Sequence, residues 1–138
     1  MVAPALELTV SVEVAPTGGD EVHVHVGGQG FWVARMARTL GARVRLCTVL
    51  GGEAGTVVAG LIRTAGIELE AVQCDATTVA SLHDNRSDER KTVARTSPVP
   101  LGRHEVDELF GIAIAAGVDA DMVLPPAERA VTNPERLL

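Results

Sequence analysis

At 138 residues the chain is one domain's worth, long enough to bury roughly two-thirds of its unfolded surface. Twelve basic side chains against 18 acidic ones give a net charge of −6 and a pI near 5.1, and the arginines are scattered, which excludes the basic footprint of a nucleic-acid binder. Hydrophobic residues make up 46% of the chain but aromatics only 2%, so an α/β arrangement of layered strands and helices is favoured over an aromatic-rich binding module.

Leu6, Leu8, Val10, Val12 and Val14 alternate with other residues, predicting a strand buried on one face. Pro16 to Asp20 turns the chain, and Val22, Val24 and Val26, alternating with His23 and His25, predict a hairpin partner. Gly27-Gly28-Gln29-Gly30 then runs into a helix from Phe31 to Leu40, with Val33, Met36, Ala37 and Leu40 facing inward and Gly41 as its stop. The pattern repeats: strand Arg43 to Leu50, turn Gly51-Gly52, helix Glu53 to Ala65 with Val58, Leu61, Ile62 and Ala65 inward, stop at Gly66. Two such units in tandem predict a parallel sheet covered by helices. Ile67 to Val72, Val79 to His83 and Lys91 to Arg95, with a polar turn from Asp84 to Asp88, read as short strands of a small exposed sheet, a lid. A third helix, Glu105 to Gly117, carries Val106, Leu109, Phe110 and Ala113 inward, and Met122 to Leu124 starts a strand before Pro125-Pro126.

Cys47 and Cys74 lie in or at the end of expected strands and form no disulfide framework, which fits a reducing cytoplasm. Met1 to Val10 lacks the basic start and long apolar region of an export signal, and the run from Phe110 to Val118 is too short to span a bilayer, so no membrane partner is expected.

Glycines between a strand and a helix are where a backbone approaches a ligand closely and free N–H groups face it, so the segment around Gly27 to Gly30 is the first candidate site. It is not a dinucleotide fingerprint: Val33 replaces the third glycine, and Thr48, Val49 and Leu50 stand where the ribose-binding acid belongs. His23 and His25 share a strand face, with Cys74, His83 and Asp84 as further ligands only if the lid folds over; a solvated face explains the pair, and no metal site is assigned. Asp119 follows Gly117 at a helix end, where the glycine acts as a left-handed stop, so it is read as structural and no catalytic residue is assigned.

The series Gly27-Gly28-Gln29-Gly30-Phe31-Trp32-Val33-Ala34-Arg35, Leu40-Gly41-Ala42, Val49-Leu50-Gly51-Gly52-Glu53-Ala54-Gly55 and Ala65-Gly66-Ile67 resembles the N-terminal half of ribokinase-like, PfkB carbohydrate kinases, nearest their fructose-1-phosphate kinase branch, over Ala5 to Leu124. The resemblance implies a partial ribokinase-like three-layer sandwich with a small β lid. Residues 1–124 would belong to the kinase domain, with lid strands near 11–26 and 68–96, and 125–138 would be a divergent tail. It implies transfer of the ATP γ-phosphoryl group, with Mg²⁺, to a sugar or sugar-phosphate hydroxyl. Glu7 falls where the family's aspartate holds sugar hydroxyls, Gly27, Gly28 and Gly30 form the sugar-facing turn, and Trp32 replaces a sugar-binding asparagine.

Thr77, Val79 and Ser81 stand where the phosphofructokinase branch places Arg, Asn and Lys near the sugar phosphate, which leaves Arg90 and Lys91 as the available charges. The family's ATP site and glycine-rich catalytic-base segment belong to a C-terminal half outside this match, and Pro125-Pro126 replaces the family's Ser-Gly continuation. The expectation is therefore a sugar-binding half, a fragment or degenerate product, inactive by itself. The alternative is a non-catalytic small-molecule-binding or regulatory module. Uncovered strand edges, at Val22 to Val26 and Val79 to Leu82, predict a homo-oligomer.

Overall fold

β3 (Arg45–Leu50) is buried along almost its whole length because helices cover both of its faces. The computed structural model describes residues 1–125, and residues 126–138, nearly all of the expected tail, lie outside the described residues. Leu46 and Leu50 join Phe31, Ala34, Val58 and Ile62 in one core, the side of α1 (Gln29–Thr39) and α2 (Gly52–Thr64). Cys47 and Val49 meet Val72 and Leu109 on the other, the side of α3 (Arg103–Gly117). β4 (Glu68–Gln73) pairs with β3 in parallel, Arg45 opposite Glu68 and Leu50 opposite Gln73, and α2 supplies the crossover that parallel strands require. A partial three-layer α/β sandwich results, as expected.

The first residues extend this sheet. The Met1 ammonium donates to Arg45 O at 2.9 Å, Cys47 N to Met1 O at 2.9 Å and Ala3 N to Cys47 O at 2.9 Å, so Val2 bridges Cys47 in parallel. Thr48 is fully buried yet satisfied, its hydroxyl donating to Ala3 O at 2.6 Å. Alternation alone does not reveal this, because Pro4 to Leu6 carry the chain out of one sheet and into another.

The second sheet has the order β2-β1-β5-β6, from β1 (Glu7–Val14), β2 (Asp20–Gly27), β5 (Val79–Asp84) and β6 (Lys91–Arg95). β1 and β2 form the expected hairpin, β1 and β5 run parallel, and β5 and β6 are antiparallel. The stretch at 68–73, expected in the lid, belongs instead to the β3 sheet. The register sorts the lid residues by face. Leu8, Val10 and Val12 pair with Val26, Val24 and Val22, whereas Glu7, Thr9 and Ser11 pair with Gly27, His25 and His23 and continue to Ser81 and His83. Arg86 pins the β5–β6 turn to Asp84, whose carboxyl it holds down at about 2, and reaches Asp20 at 3.1 Å.

Four local expectations are corrected. α1 buries Gly30, Phe31 and Ala34, leaving Met36 and Leu40 exposed, because Gly30 sits so close to Ala3 that a side chain there would collide with it. In α3 Leu109 faces the core and its neighbour Phe110, about 100° around the helix, is exposed. Gly41 and Gly66 stop their helices at φ 95° and 72°, but Gly117 has no positive φ and the right-handed conformation continues to Val118. Residues 122–124 form no strand, although Val2 N donates to Leu124 O at 3.0 Å. Among the described residues no helix is long and apolar enough to cross a membrane.

Candidate functional site

Glu7 opens β1, where the chain passes from the parallel sheet into the lid. Ser81 Oγ donates to its Oε1 at 2.7 Å, and Arg95 Nη2, reaching across β5, donates to its Oε2 at 2.9 Å. Burial pushes the Glu7 carboxyl up, but the Ser81 and Arg95 hydrogen bonds and the Arg95 charge outweigh it and hold the group below the usual glutamate value. His83 Nε2 lies 3.0 Å from Ser81 Oγ, and His83 Nδ1 lies 3.2 Å from Thr92 Oγ1. Ser81 and His83 are buried, as are Thr9 and Ser11 on the same face.

Gly27 faces Glu7 directly in the β1–β2 ladder, and a Cβ there would lie 2.9 Å from Thr9 Oγ1 and 3.1 Å from Glu7 Cγ. Its lack of a side chain leaves the flank of the carboxylate open. Gly28 needs its own freedom, with φ 108° and a would-be Cβ 3.0 Å from Ala5 O. Gly30 packs against Ala3 and Met1. Trp32 is 47% exposed; its ring meets Phe31 edge-on at 5.8 Å and carries the Arg35 guanidinium at 5.4 Å. The structure thus brings Glu7 and Gly27 together, sets Gly28 and Gly30 against residues 1–6, and leaves Trp32 among its own helix neighbours.

A cavity of about 80 Å³ is lined by Ala5, Leu6, Thr77, Thr78 and Val79, adjoining Glu7 along the chain. A larger groove of about 500 Å³ lies between α1, α3 and the Met1–Val2 edge and includes none of Glu7, Gly27, Gly28, Gly30 or Trp32. Asp119 lines that groove, which none of Glu7, Ser81, His83 or Arg95 lines. His23 lies 3.8 Å from Glu21, and His83 is committed to Ser81 and Thr92.

Sequence reasoning missed Arg95, Ser81's partnership with Glu7, and His83. Arg95, Ser81 and Glu7 meet only through the pairing of β1, β5 and β6, in which Arg95 faces Ser81, and a register shift between Leu82 and His83 sets Thr92, not Val93, opposite His83. Strict alternation of Lys91, Val93 and Arg95 puts a valine in that row.

No family model matches the chain. The ATP-dependent 6-phosphofructokinase isozyme 2 of Mycobacterium tuberculosis is 32% identical over 137 residues, a match covering 92% of this chain and 40% of that protein. The chain therefore spans about two fifths of the length of the curated relative it matches. Phosphofructokinase-2 of Escherichia coli, solved with fructose-6-phosphate, superimposes with a TM-score of 0.67 at 20% identity, over 83% of this chain and 40% of that one. The same enzyme has been solved as a tetrameric inhibited form. A Thermotoga maritima protein described as a possible 1-phosphofructokinase gives a TM-score of 0.71 at 13% identity, over 92% of this chain and 45% of that one. By distant sequence kinship and by fold, this chain matches the N-terminal part of PfkB-type, ribokinase-like carbohydrate kinases.

Proposed function

We propose that the described residues are the sugar-binding portion of an ATP-dependent carbohydrate kinase, holding a sugar or sugar phosphate whose alcohol group is phosphorylated. Glu7 carries this reading. A carboxylate kept ionised by Ser81 and Arg95, with Gly27 leaving its flank open, accepts hydrogen bonds from polyol hydroxyls. Gly28 and Gly30 set the turn beside it, and Trp32 offers an exposed ring to an apolar sugar face. Thr77, Val79 and Ser81 bring no positive charge, but Arg95, 51% exposed in its side chain, returns a guanidinium to this face with N–H groups to spare for an anionic substituent.

ATP and Mg²⁺ supply the transferred phosphoryl group in a kinase of this family. Among the described residues no three His, Cys, Asp or Glu side chains gather as a metal site, and no transfer step is assigned to them. The free cysteines Cys47 and Cys74 agree with a cytoplasmic setting.

The test is a coupled assay of the chain with ATP over hexoses, pentoses and fructose phosphates, alongside Trp32 fluorescence titrations of the same panel. Saturable binding without turnover, lost in Glu7→Ala, is expected. Turnover abolished by Asp119→Asn would overturn the reading. A second reading, a non-catalytic binding or regulatory module that dimerises through its lid, is favoured by the exposed Val14, Val22 and Val24 on the lid's apolar face. Self-association without any sugar response supports it.

A further inference from the structure

The polar face of the lid holds its hydrogen-bond donors in one direction. Glu7 is ionised, so its oxygens only accept, and the single Ser81 proton is committed to Oε1 at 2.7 Å. Ser81 Oγ therefore accepts from its remaining neighbour, His83 Nε2 at 3.0 Å, which places a proton on Nε2. Burial, then the charge of Arg90 and, less strongly, His25 and Arg95, push the His83 pKa down against the opposing pull of Glu7, so the ring is neutral and its Nδ1 is an acceptor. Thr92 Oγ1, 3.2 Å away, supplies that proton. The sequence Thr92 to His83 to Ser81 to Glu7 runs one way across β6, β5 and β1, and Arg95 closes it on the second carboxylate oxygen.

We propose that Ser81, His83 and Thr92 are positioning residues that fix the Glu7 carboxylate, ionised and in one orientation, as an acceptor for a ligand hydroxyl. The purpose rests on the sugar-binding reading; the relay itself does not. Holding Oε1 and Oε2 by one donor each leaves lone pairs free on both, and Gly27 keeps the adjoining space clear. A Glu free to rotate would lose conformational entropy when it met a hydroxyl, whereas a held one has already lost it.

The experiment is NMR on the chain in the absence of sugar. Imidazole ¹⁵N shifts report the His83 tautomer, and side-chain ¹³C shifts report the Glu7 titration. A neutral Nε2–H ring at pH 7 is expected. Glu7 should titrate at higher pH in Ser81→Ala and in His83→Phe, and at close to the wild-type pH in His83→Gln, whose amide can donate to Ser81. An Nδ1–H ring, or a Glu7 titration unmoved by Ser81→Ala, would overturn the relay. The wild-type tautomer needs no variant, so a misfolded His83→Phe does not remove the test. Expected NMR results with no sugar bound by the wild type would sustain the relay and reject the sugar-binding reading, while sugar binding with an Nδ1–H ring would do the reverse.

Discussion

Arg95 donates to Glu7 across an intervening strand, Nη2 to Oε2 at 2.9 Å, joining residues 88 positions apart in the chain. The bond is possible because β5 presents the short side chain of Ser81 between them, where a long side chain would block the reach.

That pair gives a pH-dependent prediction. The Glu7 carboxyl is held below its ordinary value in the folded state, so the stabilisation is fully present above the ordinary glutamate range and is lost as pH falls through the lowered folded value. Arg95 is half exposed, and the pair contributes at most about 1 kcal/mol at neutral pH. Arg95→Ala should lower urea stability by that amount at pH 7 and by progressively less as pH falls through the lowered folded value of Glu7. A gap that stays the same size as pH falls would mean that Arg95 acts through packing and not through charge.

Much of this architecture was legible in residues whose spacing is set by simple geometry. Gly41 and Gly66 marked helix ends because only a left-handed residue closes those turns, and Val58 and Ile62 marked the inner face of α2. The segment from Gly27 to Gly30 stands out by its place between a strand and a helix, Glu7 and Trp32 only by resemblance, and the pairing of Glu7 with Gly27 emerges only from the hairpin register. What could not be seen were features decided across elements. α1 turned toward Ala34 because of a close approach between Gly30 and Ala3, and Thr92 met His83 because of one irregular step in β6. Neither leaves a period in the sequence.

Two glycines should respond oppositely to alanine. Gly51 has ordinary extended φ, but an added Cβ would run into the Ala76 and Cys74 carbonyl oxygens, and its N–H donates to Thr78 Oγ1 at 3.0 Å. Gly51→Ala should destabilise by about 1–3 kcal/mol or more through that collision. Gly60 lies inside α2 with nothing within 4 Å of a would-be Cβ, so Gly60→Ala should stabilise by about 0.5–1 kcal/mol. Denaturant midpoints of the two variants, compared at unchanged slope, decide the matter.

Self-association should run through β2 and not through β5. β5 is paired on both sides, so Val79 to Leu82 has no free edge, whereas β2 is an edge strand with Val22 and Val24 exposed. Sedimentation at micromolar concentration should show dimers or larger species for the wild type and monomers for Val24→Lys. A monomeric wild type, or a Val24→Lys variant that still associates, would rule out this surface.

Trp32 separates a surface role from a packing role. Phe31 fills the core at 5% exposure, while Trp32 beside it is 47% exposed and makes an edge contact with the Phe31 ring. Phe31→Ala should therefore cost about 3–5 kcal/mol, the range for a buried aromatic. Trp32→Asn should cost within about 1 kcal/mol, losing mainly the Phe31 edge contact and the stacked Arg35 guanidinium. Its indole is the chain's single tryptophan, so intrinsic fluorescence reports this position alone. Under the sugar-binding reading, a sugar that quenches the signal in the wild type should do so with at least roughly tenfold weaker affinity in Glu7→Ala, the loss of a hydrogen bond to a charged group. Quenching that persists unchanged in Glu7→Ala would show a ligand held by the indole and not by the carboxylate, and a Trp32→Asn variant that unfolds would show that the ring is needed for packing after all.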